Sequence, residues 1–74
     1  MRIQPGKHYR VKGYAAEINR QYRHKLLSMG FTPEAEFEAV RVAPLGDPIE
    51  VRIKGFLLSL RQDEVRFLQV EGLD

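Results

Sequence analysis

The spacing of apolar residues changes along this chain. After residue 33, apolar residues recur at every second position. A period of two is the pattern of a β-strand with one buried face, because successive side chains of a strand point to opposite sides. The clearest run has Ile49, Val51 and Ile53 alternating with charged residues, and the Lys54-Gly55 pair after it is typical of a two-residue hairpin turn. The second half of the chain is therefore predicted to form short antiparallel strands.

The strand predicted at residues 35–43 has an apolar pattern that changes phase midway. Phe37 and Ala39 fall on one face, whereas Val40 and Val42 fall on the other. Such a change predicts a β-bulge or a sharp bend, which small barrels use to close their sheets. A dense turn signal of proline and glycine follows at residues 43–48. The remaining predicted elements are strands at 9–13, 56–60 and 67–71 and a single helical turn at 61–64.

One helix is predicted, from Arg20 to Met29. Asn19 is a good N-cap, because its side-chain oxygen can accept a backbone N–H of the first turn. Gly30 follows the helix directly and fits the left-handed position beyond a helix C-terminus. The buried stripe at helical spacing comprises Ile18, Tyr22, Leu26 and Met29.

These elements amount to five short strands and one early helix in 74 residues, with no linker or repeat. An antiparallel sheet this small cannot leave both edges open and still bury a core. We therefore expect a mostly β, partly closed antiparallel barrel of the SH3-like kind, with the helix between the first two strands. Residues 1–74 are expected to form a single domain.

The composition excludes most site chemistry. The chain has no cysteine, and its two histidines, His8 and His24, lie on different predicted elements. Phosphate-binding loops and nucleophile motifs are absent from the sequence, so we expect no enzyme activity, no cofactor and no metal site. No apolar run approaches the about 20 residues of a membrane span, and nothing resembles a signal peptide, so we expect a cytoplasmic protein.

Two groups of residues are candidates for partner binding. The predicted helix carries Arg20, Arg23, His24 and Lys25, which could face an acidic partner or phosphate groups, or could simply form a solvated helix face. Leu27 lies off the buried stripe, and Leu45 and Leu57 also lack an inward role, so they could form a partner surface or be scattered surface leucines. Residues 1–37 carry a net charge of +4 and residues 38–74 one of −2, which is too mild for a dedicated nucleic-acid binder.

Three stretches of the chain resemble the FeoA family, the small cytosolic component of bacterial ferrous iron transport systems. They are Lys25 to Pro33 (KLLSMGFTP), Val42 to Ile49 (VAPLGDPI) and Leu58 to Val65 (LSLRQDEV). The Ala-Pro-Leu-Gly-Asp-Pro run is the most specific of these. The family usually has glycine where this chain has Glu34 and alanine where it has Val65.

This resemblance implies an SH3-like barrel and a non-catalytic role beside the large permease FeoB, which carries a cytosolic G-protein domain. We expect docking on that domain through Arg23, Lys25 and Leu27, with Leu45 as a second candidate. From the residues alone, Asp47 is expected to bond its own turn; the resemblance adds a docking role. The alternative is a nucleic-acid-binding or metal-responsive regulatory module, since a similar domain is appended to some metal-dependent repressors. An exposed strand edge could also support a weak homodimer.

Overall fold

The computed structural model describes residues 3–74 and contains five strands, one helix and a helical turn. The element bounds are β1 His8–Tyr14, α1 Arg20–Ser28, β2 Glu36–Val42, β3 Ile49–Ile53, β4 Phe56–Leu60, α2 Gln62–Val65 and β5 Leu68–Gly72. Each predicted element is present, with its ends within one residue of the prediction. The predicted helix lies between the first two strands, as expected.

All five strands form one antiparallel sheet in the order β4-β3-β2-β1-β5. The mostly β prediction is therefore confirmed. Within the described residues β4 and β5 are the two edge strands, and α2 connects them. The sheet curves around a single core. Because β4 pairs with β3 alone, the barrel is only partly closed, as the sequence predicted.

Two β-bulges bend the sheet. The first lies in β2, where the pairing with β3 shifts between Ala39 and Arg41. This is the place where the apolar pattern changes phase, so the predicted bulge is confirmed. The second lies in β1, where the pairing with β5 shifts between Val11 and Gly13. This bulge was not predicted, because Lys12 and Gly13, which follow Val11, are not apolar residues that could show a change of phase.

Both ends of α1 are capped as predicted. The Asn19 side chain accepts the backbone N–H of Tyr22 at 2.8 Å. At the other end Gly30 has a φ of 101°. The Gly30 N–H donates to the Leu27 carbonyl, and the Phe31 N–H donates to the Leu26 carbonyl, both at 3.0 Å. These two bonds form a Schellman motif. The motif turns the chain sharply, so that Phe31 enters the core next to the helix.

The core fills the space between the curved sheet and α1. Tyr9, Phe31 and Phe37 form its aromatic centre, with ring centroids 5.6 Å apart for Tyr9 and Phe37 and 5.4 Å apart for Phe31 and Phe37. From α1 only Leu26 is fully buried. The other fully buried apolar side chains include Val11, Ala39, Ile49, Val51, Ile53 and Leu60.

Two residues other than glycine have a left-handed backbone. Lys54 and Gly55 both have positive φ, 52° and 84°, and form the predicted two-residue hairpin turn between β3 and β4. Glu34 has φ 73°, a conformation that favours glycine. This explains why glycine suits the position. In this chain the Glu34 carboxylate accepts a hydrogen bond from the Lys12 ammonium at 2.8 Å, which helps to hold the strained turn.

Candidate functional site

The residues predicted to bind a partner lie in two separate regions of the surface. Arg23, Lys25 and Leu27 lie on α1, whereas Leu45 and Asp47 lie in the loop between β2 and β3. Among residues 3–74 no hydrogen bond or ion pair joins the two groups directly, but both contact α2, Lys25 through Glu64 and Asp47 through the backbone N–H of Gln62. Each region is therefore described separately.

Arg23 is fixed against the end of β1. Its guanidinium carbon lies 5.9 Å from the centroid of the Tyr14 ring, within the range of a cation–π contact. Tyr14 is itself held in place, because its hydroxyl donates a hydrogen bond to the carbonyl of Phe31. Arg23 remains solvent-exposed with its charge in a defined position.

Lys25 is not a free surface charge. Its ammonium forms an ion pair with the carboxylate of Glu64, which is only 2% exposed. The same carboxylate accepts the backbone N–H of Arg61 at 2.9 Å and so caps the start of α2. Burial disfavours the charge of Glu64, but the bonds from Lys25 and Arg61 outweigh it and lower its pKa below the ordinary 4.5. Lys25 therefore ties α1 to α2.

Leu27 is half-buried rather than exposed. It lies between Leu26, which is fully buried, and Ser28, which is exposed and whose hydroxyl donates to the Lys25 carbonyl at 2.8 Å. A partner could contact only part of this side chain. Leu27 therefore offers a smaller apolar contact than the sequence suggested.

The loop between β2 and β3 exposes Leu45 and holds Asp47. Leu45 is 96% exposed, so its side chain touches almost nothing in the chain. The Asp47 carboxylate accepts the backbone N–H of Gln62 at 3.2 Å, and the Gln62 side-chain amide donates to the Gly46 carbonyl at 2.6 Å. The expectation that Asp47 bonds its own turn is therefore wrong. Gln62 begins α2, and its unpaired N–H is a better donor than those of the turn.

Leu57 and Phe56 are exposed on the edge strand β4, at 51% and 68%. Leu57 pairs with Arg52 near one end of β3, whereas Leu45 precedes Ile49 at the other end. The three exposed or partly exposed leucines of the sequence analysis thus do not form one patch. Phe56 was missed, because its phase matches that of the inward Leu58 and Leu60 and only its place at the sheet edge exposes it.

Two clefts accompany these regions. A cleft of about 720 Å³ lies beside the loop between β2 and β3, among Ile3, Pro5, Val42, Ile49 and Val65. A second, of about 450 Å³, lies between the β1–α1 connection and the start of α1. We name it the helix cleft; its lining residues are Tyr14, Ala15, Ala16, Ile18, Arg20 and Arg23. Arg20 and Arg23 are two of the four basic helix residues that the sequence offered for an acidic partner.

Within residues 3–74, no group of three His, Cys, Asp or Glu side chains is placed to hold a metal ion. The helices of this same part of the chain are too short and too polar to cross a membrane.

Comparison with known proteins agrees on one family. A family model described as the FeoA domain matches residues 1–72. The chain is 36% identical over 50 residues to a fusion protein of Porphyromonas gingivalis that joins Fe(2+) transport protein A to the Fe(2+) transporter FeoB. The match covers 68% of this chain but 6% of the fusion protein, so the chain spans only a small part of that relative's length.

Two solved structures show the same architecture. Iron(II) transport protein A of Clostridium thermocellum is 40% identical with a TM-score of 0.88, and the match covers 97% of this chain and 43% of that one. The zinc complex of Stenotrophomonas maltophilia FeoA, described as a prokaryotic SH3 domain protein, is 21% identical with a TM-score of 0.78, over 93% of this chain and 84% of that one. The second similarity supports the SH3-like fold alone.

Proposed function

Because this chain belongs to the FeoA family of ferrous iron transport proteins, we propose that it is a non-catalytic accessory protein that docks on the cytosolic G-protein region of a FeoB-type permease. The role places it in the cytoplasm, at the membrane only through its partner. The protein itself then neither carries nor chemically changes the iron. Its effect on transport acts through the permease.

The observation that carries this proposal is the fusion of a similar domain to FeoB in one relative. Two domains in one polypeptide are kept at a high effective concentration, which favours a functional contact even when the contact is weak. Where such a tether is absent, a binding surface must replace it. Association through a surface also suits a domain of this size, whose core is too small for a large internal pocket.

The surface of α1 around Arg23, with Lys25 and Leu27 beside it, is the first candidate for this contact. Arg23 is exposed and already positioned, so its immobilisation on binding costs little conformational entropy. Leu45 and Asp47 form the second candidate, because a side chain exposed at 96% on a hydrogen-bonded loop can insert into a partner without disturbing the fold.

Docking would regulate the permease by shifting a conformational equilibrium. A G-protein region has at least two states, and a protein that binds one of them more tightly increases its population. The size of the shift is limited to the difference in affinity between the states. No catalytic group is needed for this mechanism.

The test is calorimetric titration of the intact protein into the permease's cytosolic domain and into the full-length permease in detergent. We expect saturable binding with one protein per permease chain. Leu45→Asp tests the second candidate surface, and Arg52→Ala, at the hairpin end of β3 away from this loop, is the control. Absence of binding to both permease preparations would refute the docking role.

A further inference from the structure

The helix cleft combines apolar lining residues with two arginines for which residues 3–74 provide no carboxylate within ion-pair distance. Ala15, Ala16 and Ile18 form the floor, and Arg20 and Arg23 lie beside it. Small alanine side chains leave room for an incoming chain. A cleft of about 450 Å³ lies within the size range of ligand sites, which is roughly 300–1,000 Å³.

The charge of this cleft is not neutralised by the chain. Among residues 3–74, the cations on the sheet and on the inner side of α1 lie within ion-pair distance of a carboxylate; they are Arg10, Lys12, Lys25, Arg41 and Arg52. In this part of the chain neither Arg20 nor Arg23 has such a partner, and the first turn of α1 contains no acidic residue. Lys7, Lys54, Arg61 and Arg66 are also outside these ion pairs, so what distinguishes the helix cleft is that two such cations line one recess.

The packing around Tyr14 fixes the cleft before anything binds. Burial raises the pKa of the Tyr14 hydroxyl more than the charge of Arg23 lowers it. The hydroxyl therefore stays protonated and donates to the Phe31 carbonyl. Arg23 lies across the exposed face of this ring. A site that is ordered in advance loses less entropy when it is filled.

The lining favours a peptide over a nucleic acid. Binding of single strands depends on aromatic rings on which bases can stack. Here Arg23 lies over Tyr14, and the neighbouring Tyr22 packs against Phe67 in a tilted arrangement with ring centroids 5.4 Å apart. Arginines beside an apolar floor suit carboxylates on a polypeptide, because the guanidinium can bind a carboxylate through two parallel hydrogen bonds.

We propose that the helix cleft binds an acidic segment of the docking partner, with Arg20 and Arg23 each pairing with a carboxylate and the partner's backbone lying over Ala15 and Ala16. The identity of the partner rests on the proposed function, whereas the chemistry of the cleft does not. Binding should weaken with added salt, because both ion pairs are partly exposed.

The first experiment repeats the permease titration with Arg20→Ala, Arg23→Ala and the double variant. Each single change is expected to weaken binding roughly tenfold, as loss of a charge-assisted hydrogen bond does. The affinity of Arg23→Lys should lie between those of the wild-type protein and Arg23→Ala, since lysine keeps the charge but loses the planar contact of the guanidinium. Arg52→Ala removes an equal charge outside the cleft and should leave the affinity unchanged. If the wild-type protein binds and the cleft variants bind equally well, the cleft proposal is overturned while docking stands.

A second experiment tests the cleft without the permease. A hexaglutamate peptide is titrated into the isotopically labelled intact protein, and amide shifts are followed by NMR. We expect saturable shifts at Ala15, Ala16, Arg20 and Arg23 that vanish in the double variant and with added salt. Absence of shifts at millimolar peptide overturns the proposal, and so does tighter binding of a single-stranded oligonucleotide at the same amides.

Discussion

At the scale of single residues, Glu64 shows how a charged group can hold a small fold together. The sequence presents it as half of the acidic pair Asp63-Glu64, and acidic pairs of this kind usually cap a turn or stay solvated. In the structure the two side chains have different surroundings. Asp63 is exposed, whereas Glu64 is buried, caps α2 and pairs with Lys25 of α1.

We expect Glu64→Gln to destabilise the protein by about 1–2 kcal/mol at neutral pH, because the variant loses a charge-assisted cap and leaves Lys25 without its partner. The expected loss of stability is modest because Lys25 is half exposed and solvent screens its charge. Urea unfolding followed by circular dichroism measures the change, with Asp63→Asn as a control that should have little effect.

The same residue predicts a pH dependence. The pKa of Glu64 is lower in the folded protein than its ordinary 4.5, so its stabilising contribution is present above that value and is lost as the pH falls through the folded pKa. The difference in stability between the wild-type protein and Glu64→Gln should therefore shrink in acid. A difference that stays constant down to pH 3 would contradict the ion pair.

At the scale of elements, the end of β5 is fastened to the start of β1 by a cluster that we call the terminal clasp, His8 with Leu73 and Asp74. The Asp74 carboxylate accepts the His8 backbone N–H at 2.8 Å and contacts the imidazole Nδ1 at 2.9 Å. The Leu73 N–H donates to the His8 carbonyl at 2.9 Å. The pairing of β1 with β5 is thus extended beyond the last strand residue.

The terminal clasp should be strongest in a window of mildly acidic pH. The hydrogen bond to Asp74 raises the pKa of His8 above 6.5, although desolvation of the ring opposes it. The contribution of His8 to the stability of the fold is therefore full below pH 6.5 and is lost as the pH rises through the raised pKa. The bond to His8 lowers the pKa of Asp74 below 3.8, so its contribution is lost as the pH falls through that lowered value.

NMR titration of the His8 ring measures this coupling. In Asp74→Asn the pKa of His8 should fall back toward 6.5, while Glu71→Gln, which alters a neighbouring ion pair of Arg10, should change it less. An unchanged pKa in Asp74→Asn would show that the imidazole does not bind the carboxylate in solution.

At the scale of the whole molecule, the open edge of the barrel determines how it can associate. The edge strand β4 has the sequence FLLSL and carries no charge, whereas most exposed edge strands are protected by lysine, proline or a bulge. Phe56 and Leu57 add exposed apolar surface along the same edge. This edge is where the weak homodimer expected from the sequence would form, by pairing with the β4 strand of a second copy.

Sedimentation velocity over a range of concentrations measures this association. We expect a weak monomer–dimer equilibrium that Leu57→Lys abolishes, because a lysine on an edge strand opposes edge-to-edge pairing. Leu45→Lys introduces the same charge at a site that is at least as exposed but lies off the edge, and it should leave the equilibrium unchanged. Equal effects of the two variants would place the interface elsewhere.

What the sequence determined by itself is local. The cap at Asn19, the Schellman turn at Gly30, the hairpin at Lys54-Gly55 and the bulge after Ala39 were all predicted, because each depends on neighbouring residues and their backbone preferences. The family was also predicted, since its motifs are continuous stretches that the comparisons confirm.

Only the tertiary structure decided which groups meet across the fold. Lys25 reaches Glu64, Asp47 reaches Gln62, and Arg23 reaches Tyr14, and the residues of these pairs are 39, 15 and 9 positions apart. Such pairs form because the sheet curves and α1 packs against it, and the alternation of apolar residues does not specify that curvature in detail. The helix cleft is formed in the same way, where the end of β1 meets the start of α1.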